Sequence, residues 1–295
     1  MNITAKEVAA LRDMTGAGMM DCKKALVEAE GDMDKAVKVL QEKGIAKAAK
    51  KEGRIAAEGV VGAKVQGNTG VILEINCESD FVAKGEPFHN IINTVLDVIL
   101  AERPANVEAL LEAKLGEGTV KDYMTAQTVA IGEKLSIRRF EVYETEGKIE
   151  TYIHMGGKVG VMVEANPFVS GEDVLHDVAL QIAAANPSYV RESEVPAEVI
   201  AREKEILIAQ MQNDEKNANK PKEILEKIVT GKIGKFYTEN CLMKQLFVKD
   251  DSMTIEKVVG DKFTVVKFVR WVMGEGLEKR NDDFAAEVAA QMGQN

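Results

Sequence analysis

The run Gly70-Val-Ile-Leu-Glu-Ile-Asn76 recurs 90 positions later as Gly160-Val-Met-Val-Glu-Ala-Asn166. Both runs are rich in aliphatic residues, and each follows a glycine-containing turn and a further candidate strand. This arrangement is typical of a β-hairpin in which the repeated run is the second strand. The repetition predicts that the core of the protein consists of two related halves.

The segments that follow the two hairpins are also repeated. An apolar helix is predicted at residues 88–99 and again at 175–183, an offset of 87 residues. A third strand is predicted at 131–140 and again at 259–268, an offset of 128 residues. The order hairpin, helix, strand therefore occurs twice. It indicates an α+β fold in which each half is an antiparallel three-stranded sheet, covered by helices on one face.

The offset between the two halves is 87 residues at the helix and 128 at the last strand, so the second half has 41 additional residues between these two elements. Helices predicted at 196–212 and 222–229 within this insertion form a helical hairpin, inserted at about 190–232, that projects from the core. Apolar residues on the two arms are expected to face each other, namely Ile200, Leu207 and Met211 on one arm and Ile224 and Ile228 on the other. After the last strand, residues 275–295 are predicted to form a C-terminal helical module with Phe284, Val288 and Met292 on one face.

The N-terminal region has the apolar spacing of three short helices. The first is predicted at residues 4–13, with Thr4 and Glu7 as a capping box. The second has one apolar stripe, and the third is expected to end at Gly44. The stripe of the second consists of Cys22, Ala25, Leu26 and Ala29, and that of the third of Met33, Ala36, Val37 and Leu40. Together they resemble the ubiquitin-associated (UBA) three-helix pattern.

Two further features lie on or beside this predicted bundle. Met19 and Met20 are adjacent, so both cannot lie on one buried stripe, and a flexible thioether on the surface suits contact with a protein. The basic stretch 43–54 is interpreted as a solvated helical linker rather than a phosphate site, because the chain as a whole is acidic. We therefore divide the chain into a bundle with its linker (1–54), two core halves (55–144 and 145–274) and the terminal module (275–295).

The connection after the first hairpin combines an acid and an aromatic, Asp80 and Phe81, in an otherwise polar stretch. Connections lie at the surface, where a large apolar side chain needs an explanation. In one interpretation Phe81 folds back onto the core and Asp80 caps a short turn. In the other, the pair serves a function, since the corresponding connection of the second half, Asn166-Pro-Phe168, has no Asp-Phe pair.

Composition excludes several classes of protein. The 295 residues include 38 basic and 48 acidic side chains, a net charge of −10, which argues against indiscriminate nucleic-acid binding. No apolar run approaches the ~20 residues of a membrane span, and no signal-peptide core follows the N-terminus. The three cysteines, Cys22, Cys77 and Cys241, have neither CxxC spacing nor an even count. We expect a cytoplasmic protein without a disulfide scaffold, a metal site or a cofactor.

The sequence also lacks the residue patterns of an enzyme. The three histidines are scattered, and no HExxH, GxSxG or GxxxxGK[ST] pattern occurs. We therefore expect a protein that acts by binding rather than by covalent chemistry.

Several long motifs closely resemble the bacterial elongation factor Ts family. They are TGAGMMDCKKAL at 15–26, AKAAKKEGRIAAEG at 46–59, NCESDFVAK at 76–84, SIRRFEVYE at 136–144 and DDFAAEVAAQ at 282–291. The resemblance extends from residue 1 to residue 295, with the bundle, duplicated core, inserted hairpin and C-terminal helix in the family's order. It implies a guanine-nucleotide exchange factor that binds the GDP form of elongation factor Tu, displaces Mg²⁺ and promotes GDP release.

The resemblance also implies which residues contact the partner. Ser79, Asp80, Phe81 and Val82 match the family's Thr-Asp-Phe-Val segment, which dislodges the partner's Mg²⁺, with serine here in place of threonine. The remaining matches are the bundle surface (Arg12, Met19 and Met20), a turn at the same interface (Ile131 and Gly132), and His154, which contacts the partner's third domain. The hairpin, at about 196–229, corresponds to the family's coiled coil, through which two copies associate or which touches the partner.

A function of a different class is also compatible with the UBA-like bundle. The bundle could bind peptides in an adaptor associated with ribosomes or chaperones, with the duplicated core as its scaffold. That function requires an exposed apolar groove on residues 1–42 and no effect on nucleotide release.

Overall fold

The computed structural model describes residues 3–15, 17–212 and 222–278. It shows an α+β protein in which helices at the N-terminus precede two three-stranded antiparallel sheets, and two small two-stranded sheets accompany them in the described residues. None of the helices in these residues combines the length and the apolar character that a bilayer-spanning helix requires.

Three helices form the N-terminal bundle: α1 (Ala5–Thr15), α2 (Met19–Glu28) and α3 (Met33–Ala49). The predicted capping box is confirmed, since Thr4 N donates to Glu7 Oε2 at 2.7 Å and Glu7 N donates to Thr4 Oγ1 at 3.3 Å. Asp32 caps α3 through a bond from Lys35 N. The predicted stripe of α2 is confirmed as well, because all four of its residues are buried in the small core of the bundle.

The prediction that Gly44 ends α3 is wrong. The helix continues to Ala49, and Gly44 is buried where α3 packs against Val129 of α7 (Val120–Ile131). A glycine inside a helix costs only about 1 kcal/mol, which packing on α7 offsets. The linker interpretation is correct in part: α3 carries the stretch to residue 49, and Lys43 and Lys47 pair with Glu28 and Asp21 of α2.

The first core half contains a sheet of β1 (Glu58–Gln66), β2 (Thr69–Cys77) and β5 (Ser136–Glu144) in the order β1-β2-β5. Helix α5 (Glu86–Glu102) covers one face and buries eight apolar side chains against it. Short elements complete this half, namely α4 (Asp80–Ala83), α6 (Val107–Glu112), β3 (Lys114–Leu115) and β4 (Gly118–Thr119), followed by α7.

The second core half repeats this topology. Strands β6 (Lys148–His154), β7 (Val159–Phe168) and β10 (Phe263–Val272) form a sheet in the order β10-β7-β6, covered by α8 (Glu172–Ala185). In both halves the second strand of the hairpin is central and the late strand pairs with it. The predicted order hairpin, helix, strand is confirmed in both halves.

The strand register agrees with the sequence offsets residue for residue. Ile75 pairs with Ile137 in the first half, and Ala165 pairs with Val265 in the second. Each sheet has an irregularity one step further on, where the late strand carries one unpaired extra residue, Arg138 or Val266. The equivalent position of these two irregularities agrees with the duplication of the two halves, and the second sheet has a further irregularity between Phe263 and Val265.

The faces of the two sheets that lack helices pack against each other. The cluster between them includes Tyr143 and Trp271, which occupy equivalent positions of the duplicated strands. Close approach requires glycine at two further equivalent positions, Gly70 and Gly160. A Cβ at Gly70 would lie 2.6 Å from Ile149 Cγ2 and 2.9 Å from Met162 Sδ, and a Cβ at Gly160 would collide with Val61. The core is therefore a sandwich of helix, sheet, sheet and helix.

The insertion in the second half forms a helical hairpin, as predicted, from α9 (Ala197–Gln212) and α10 (Lys222–Asn240). The second arm was predicted too short, because its apolar contacts continue through Val229 and Ile233. Leu207 and Met211 are buried between the arms and Ile228 packs there, whereas Ile224 is exposed, contrary to prediction. The chain returns to β10 through β8 (Leu246–Phe247), β9 (Asp250–Thr254) and α11 (Ile255–Val259).

Two predictions lie outside the described residues. They are the turn between the hairpin arms, within 213–221, and the C-terminal helix with Phe284, Val288 and Met292.

Candidate functional site

The Asp80-Phe81 pair lies on a single helical turn between β2 and α5. Ser79 caps this turn, α4, because its hydroxyl accepts a hydrogen bond from Val82 N at 3.3 Å. The expectation that Asp80 would act as the cap is therefore wrong. Val82 packs against the first core and Ala83 is buried, so the turn is anchored on one side and projects on the other.

Phe81 points into solvent, with 86% of its surface exposed. The interpretation in which it folds back onto the core is wrong. The second half shows what that alternative looks like, since Phe168 packs on the second core with its ring 5.7 Å from that of Phe263. An exposed phenylalanine is thus particular to the first half. A large apolar side chain held on a short anchored turn is suited to insertion into a partner's apolar slot.

Asp80 is a charged neighbour of this exposed ring. Its carboxylate accepts a hydrogen bond from Lys84 Nζ at 2.6 Å, and this bond and the charge of Lys84 lower the pKa of Asp80. The charge of Lys158 adds to that lowering, and Lys158 itself pairs with Glu58 at 2.7 Å. Asp80 therefore stays ionised near neutral pH and presents a carboxylate beside the phenyl ring.

Cys77 lies directly beneath the turn and is buried. Its Sγ donates to Ser79 O at 3.1 Å. Burial, together with the negative charge of Glu133, raises the pKa of the Cys77 thiol to about 12. A thiol that stays protonated is a poor nucleophile, so we assign Cys77 a packing role.

Glu133, which the sequence analysis did not single out, holds the start of this turn. Its carboxylate accepts hydrogen bonds from Glu78 N at 3.1 Å, Ser79 N at 3.0 Å and Ser79 Oγ at 2.6 Å. Ile131 and Gly132 directly precede it: Ile131 packs against the first core, and Gly132 ends α7 with φ of +88°. The structure therefore brings the two predicted segments 79–82 and 131–132 together through Glu133.

The linker from the bundle ends on the same turn. Arg54 pairs with Glu78 at 3.1 Å, and Glu78 also accepts a bond from Lys134 N at 2.6 Å. Lys134 Nζ donates to the carbonyls of Glu52 and Arg54, and Lys51 Nζ donates to Gly132 O. These basic residues are thus engaged within the chain, which agrees with the linker interpretation.

The bundle presents its predicted contact residues to solvent. Arg12 is exposed at the end of α1, and Met19 and Met20 are exposed at 44% and 65%. At least one exposed methionine was expected, and both are exposed. Among the residues that the structure describes, no hydrogen bond, ion pair or core cluster joins Arg12, Met19 or Met20 to the turn at 79–82.

His154 lies at the end of β6 and is exposed. Its ring stacks on Tyr152 at 5.9 Å, and its Nδ1 lies 3.1 Å from the Tyr152 hydroxyl. The turn that follows contacts the first half, because Val61 N donates to Gly157 O at 2.8 Å. This turn also carries Lys158, whose charge acts on Asp80. The second half thus contributes to the electrostatic surroundings of the turn in the first half.

Comparison with known proteins adds independent findings. A family model described as Elongation factor TS matches residues 78–275. Elongation factor Ts of Symbiobacterium thermophilum is 52% identical over 309 aligned residues, which cover 99% of this chain and 98% of that protein. Elongation factor Ts of Nitratiruptor sp. is 46% identical over 308 residues, which cover 99% of this chain and 100% of that protein.

Proposed function

We propose that this chain, which belongs to the elongation factor Ts family, accelerates the release of GDP from elongation factor Tu. Membership of the family assigns the chain to translation elongation. The more specific function, nucleotide exchange on the GDP form of elongation factor Tu with displacement of Mg²⁺, is our proposal.

The observation that carries the proposal is the exposed Phe81 on an anchored turn, with the ionised Asp80 beside it. An apolar side chain that is buried only when the partner's nucleotide site is open binds that open state preferentially. A buried phenylalanine stabilises such a state by ~1.5–3 kcal/mol. Binding of this chain and binding of nucleotide are linked: the factor by which bound nucleotide weakens the binding of this chain is also the factor by which this chain weakens the binding of nucleotide.

Asp80 provides the electrostatic part of the proposal. Mg²⁺ is held by oxygen ligands and retains several waters when it bridges protein and phosphate groups. A carboxylate brought close to that site disturbs the water shell of the ion and repels the phosphates. Loss of the ion leaves the charge of the β-phosphate without neutralisation, and GDP then dissociates faster.

We extend the proposal to three other contacts with the partner. Arg12, Met19 and Met20 form the surface of the bundle that meets the nucleotide-binding domain, and Ile131 with Gly132 lies at the same interface. His154 contacts the partner's third domain. In this proposal the chain is divided into the bundle with its linker (1–54), the two core halves (55–144 and 145–274) and the terminal module (275–295), and no covalent step is required.

We also propose that the helical hairpin can pair with a second copy of the chain. Ile206 and Ile208 on α9 and Ile224 on α10 are exposed at 42%, 44% and 46%. Sedimentation of the full chain at two concentrations tests this, and an Ile208→Ser variant should shift the distribution towards monomer. A wild-type chain that stays monomeric at the higher concentration would contradict the pairing.

The exchange function is tested by following the release of fluorescent GDP from elongation factor Tu. We expect the chain to accelerate release in proportion to its concentration, and to do so less at high Mg²⁺, where the ion competes to stay bound. A release rate that is the same with and without the chain would refute the proposal.

A further inference from the structure

We propose that Glu133 is a positioning residue for nucleotide exchange: it holds the Ser79 end of α4 so that Asp80 and Phe81 are presented to the partner. This inference rests on the exchange function proposed above. It adds a residue outside the segment 79–82, from a part of the chain 54 positions away.

One carboxylate of Glu133 satisfies three donors at the start of the turn. Oε2 accepts from the backbone amides of Glu78 and Ser79, and Oε1 accepts from the hydroxyl of Ser79. The same hydroxyl accepts from Val82 N and so closes the turn. The bond from Ser79 Oγ to Glu133 therefore sets the direction of the cap, and with it the direction in which Asp80 and Phe81 leave the core.

The second half shows that the fold does not require this carboxylate. The sequence Gly132-Glu-Lys134 is repeated there as Gly260-Asp-Lys262. Asp261 is exposed, and the structure gives it no hydrogen bond or ion pair within the described residues. The equivalent connection is held by backbone instead, since Val169 N and Ser170 N both donate to Lys262 O, at 2.8 and 3.2 Å. The bridge of Glu133 is specific to the half with the exposed phenylalanine.

The residues on either side of Glu133 connect the turn to the linker. Lys134 Nζ donates hydrogen bonds to the carbonyls of Glu52 and Arg54, and the backbone amide of Lys134 donates to the carboxylate of Glu78. Three segments of chain, the linker, the start of α4 and the end of α7, therefore meet at this turn. Glu133 is the member of this group that contacts the capping serine.

The physical consequence of losing the carboxylate is local. The amides of Glu78 and Ser79 would lose their acceptor, and part-buried donors without a partner are costly. The start of the turn would reorient to reach water, and Phe81 would sample many directions. Glutamine retains one acceptor oxygen for the two amides, and its NH₂ group can donate to the Ser79 hydroxyl. Aspartate, the residue of the second half, keeps the charge but is shorter by one methylene.

The test measures stimulated GDP release at saturating and half-saturating concentrations of the full chain. We expect Glu133→Ala and Glu133→Asp to lower the maximal rate about fivefold and to leave the half-saturating concentration within about twofold. Glu133→Gln should retain most of the rate, and Asp261→Ala, the matched control, all of it. When Phe81→Ala is already present, adding Glu133→Ala should lower the maximal rate of GDP release by less than about twofold, because both changes act on the same insertion.

The outcomes separate this inference from the function on which it rests. A wild-type chain that fails to accelerate release overturns both. If Phe81→Ala slows release while Glu133→Asp and Glu133→Ala behave as wild type, the exchange function stands and the positioning role is wrong. A Glu133→Ala loss that is the same with and without Phe81 also overturns it, because a merely structural residue would act independently of that side chain.

Discussion

Replacing Phe81 by alanine should separate function from stability in this chain. The side chain is 86% exposed, so only 14% of its surface is covered in the free protein. A phenylalanine that becomes fully buried covers roughly 200 Å², and the covered part is therefore about 30 Å². At about 25 cal/mol per Å² this predicts a loss of only ~0.7 kcal/mol in the free energy of unfolding.

The exposed part of the same side chain is available to the partner. Burial of the remaining area, roughly 170 Å², would provide ~4 kcal/mol before the costs of association. Even a third of that value corresponds to about a tenfold change in an equilibrium or rate constant. We therefore expect Phe81→Ala to slow stimulated GDP release about tenfold or more.

The assay combines fluorescent-GDP release with urea unfolding of the same preparations. Two controls come from the duplicate connection: Val169→Ala removes another exposed apolar side chain, and Phe168→Ala removes the aromatic that packs on the second core. Val169→Ala should leave both measurements near wild type, and Phe168→Ala should lower stability with little effect on exchange. A Phe81→Ala chain whose free energy of unfolding in urea falls by several kcal/mol but which exchanges nucleotide normally would show that our site assignment is wrong.

Three further predictions concern other residues. Asp80→Ala should slow stimulated GDP release most at high Mg²⁺, and an equal effect at all Mg²⁺ concentrations would count against displacement of the ion. Asp80→Ala combined with Phe81→Ala should raise the activation free energy of release by less than the sum of the two single changes. Met20→Ala should weaken binding to elongation factor Tu in a titration with little change in melting temperature, and the reverse result would make Met20 a structural residue. Glu74 on β2 is buried and forms ion pairs with Arg138 and Arg139 of β5, at 3.0 and 2.7 Å. Glu74→Gln removes the negative charge of these pairs and should lower the free energy of unfolding at pH 7 by roughly 3 kcal/mol. Burial alone would raise the pKa of Glu74, but the bonds from Gly274 N, Arg138 and Arg139 outweigh it and lower that pKa. The stability that ionised Glu74 contributes is therefore complete above its pKa in the unfolded chain, ~4.3, and is lost as pH falls through its lower pKa in the folded chain. The difference in free energy of unfolding between wild type and Glu74→Gln, measured with urea, should narrow below pH ~4. A difference that does not change with pH would contradict this prediction.

Much of the architecture follows from the order of residues along the chain. The repeats predict that the two halves have the same sequence of elements, a hairpin, a helix and a later strand, and the structure confirms it. Once the register of one half is known, the repeat indicates that of the other, because a shift by one residue would expose the buried side chains of a strand. The offsets of 90 and 128 relate the pair Ile75 with Ile137 in the first half to the pair Ala165 with Val265 in the second. The capping box at Thr4 and the stripe of α2 follow for the same reason, since both depend on neighbours within one or two helical turns.

Predictions that depend on distant segments were less accurate. Gly44 has a poor intrinsic preference for helix, but packing against Val129, far along the chain, outweighs it. The second arm of the hairpin extends to Asn240 because Val229 and Ile233 find partners on α9. Local propensity is a weak signal when tertiary contacts of this size compete with it.

The turn at residues 79–82 shows the same division. That the two hairpin-to-helix connections differ, with an Asp-Phe pair in one and not in the other, is evident from the order of residues alone. That Phe168 turns inward onto Phe263 while Phe81 turns outward depends on the packing of the folded chain. The same packing brings the carboxylate of Glu133 to the Ser79 hydroxyl, whereas Asp261, at the equivalent position, makes no hydrogen bond or ion pair within the described residues. The physical reason is that a hydrogen bond forms over about 3 Å between atoms, not over a spacing in sequence, and one methylene together with the path of a loop determines whether two groups meet.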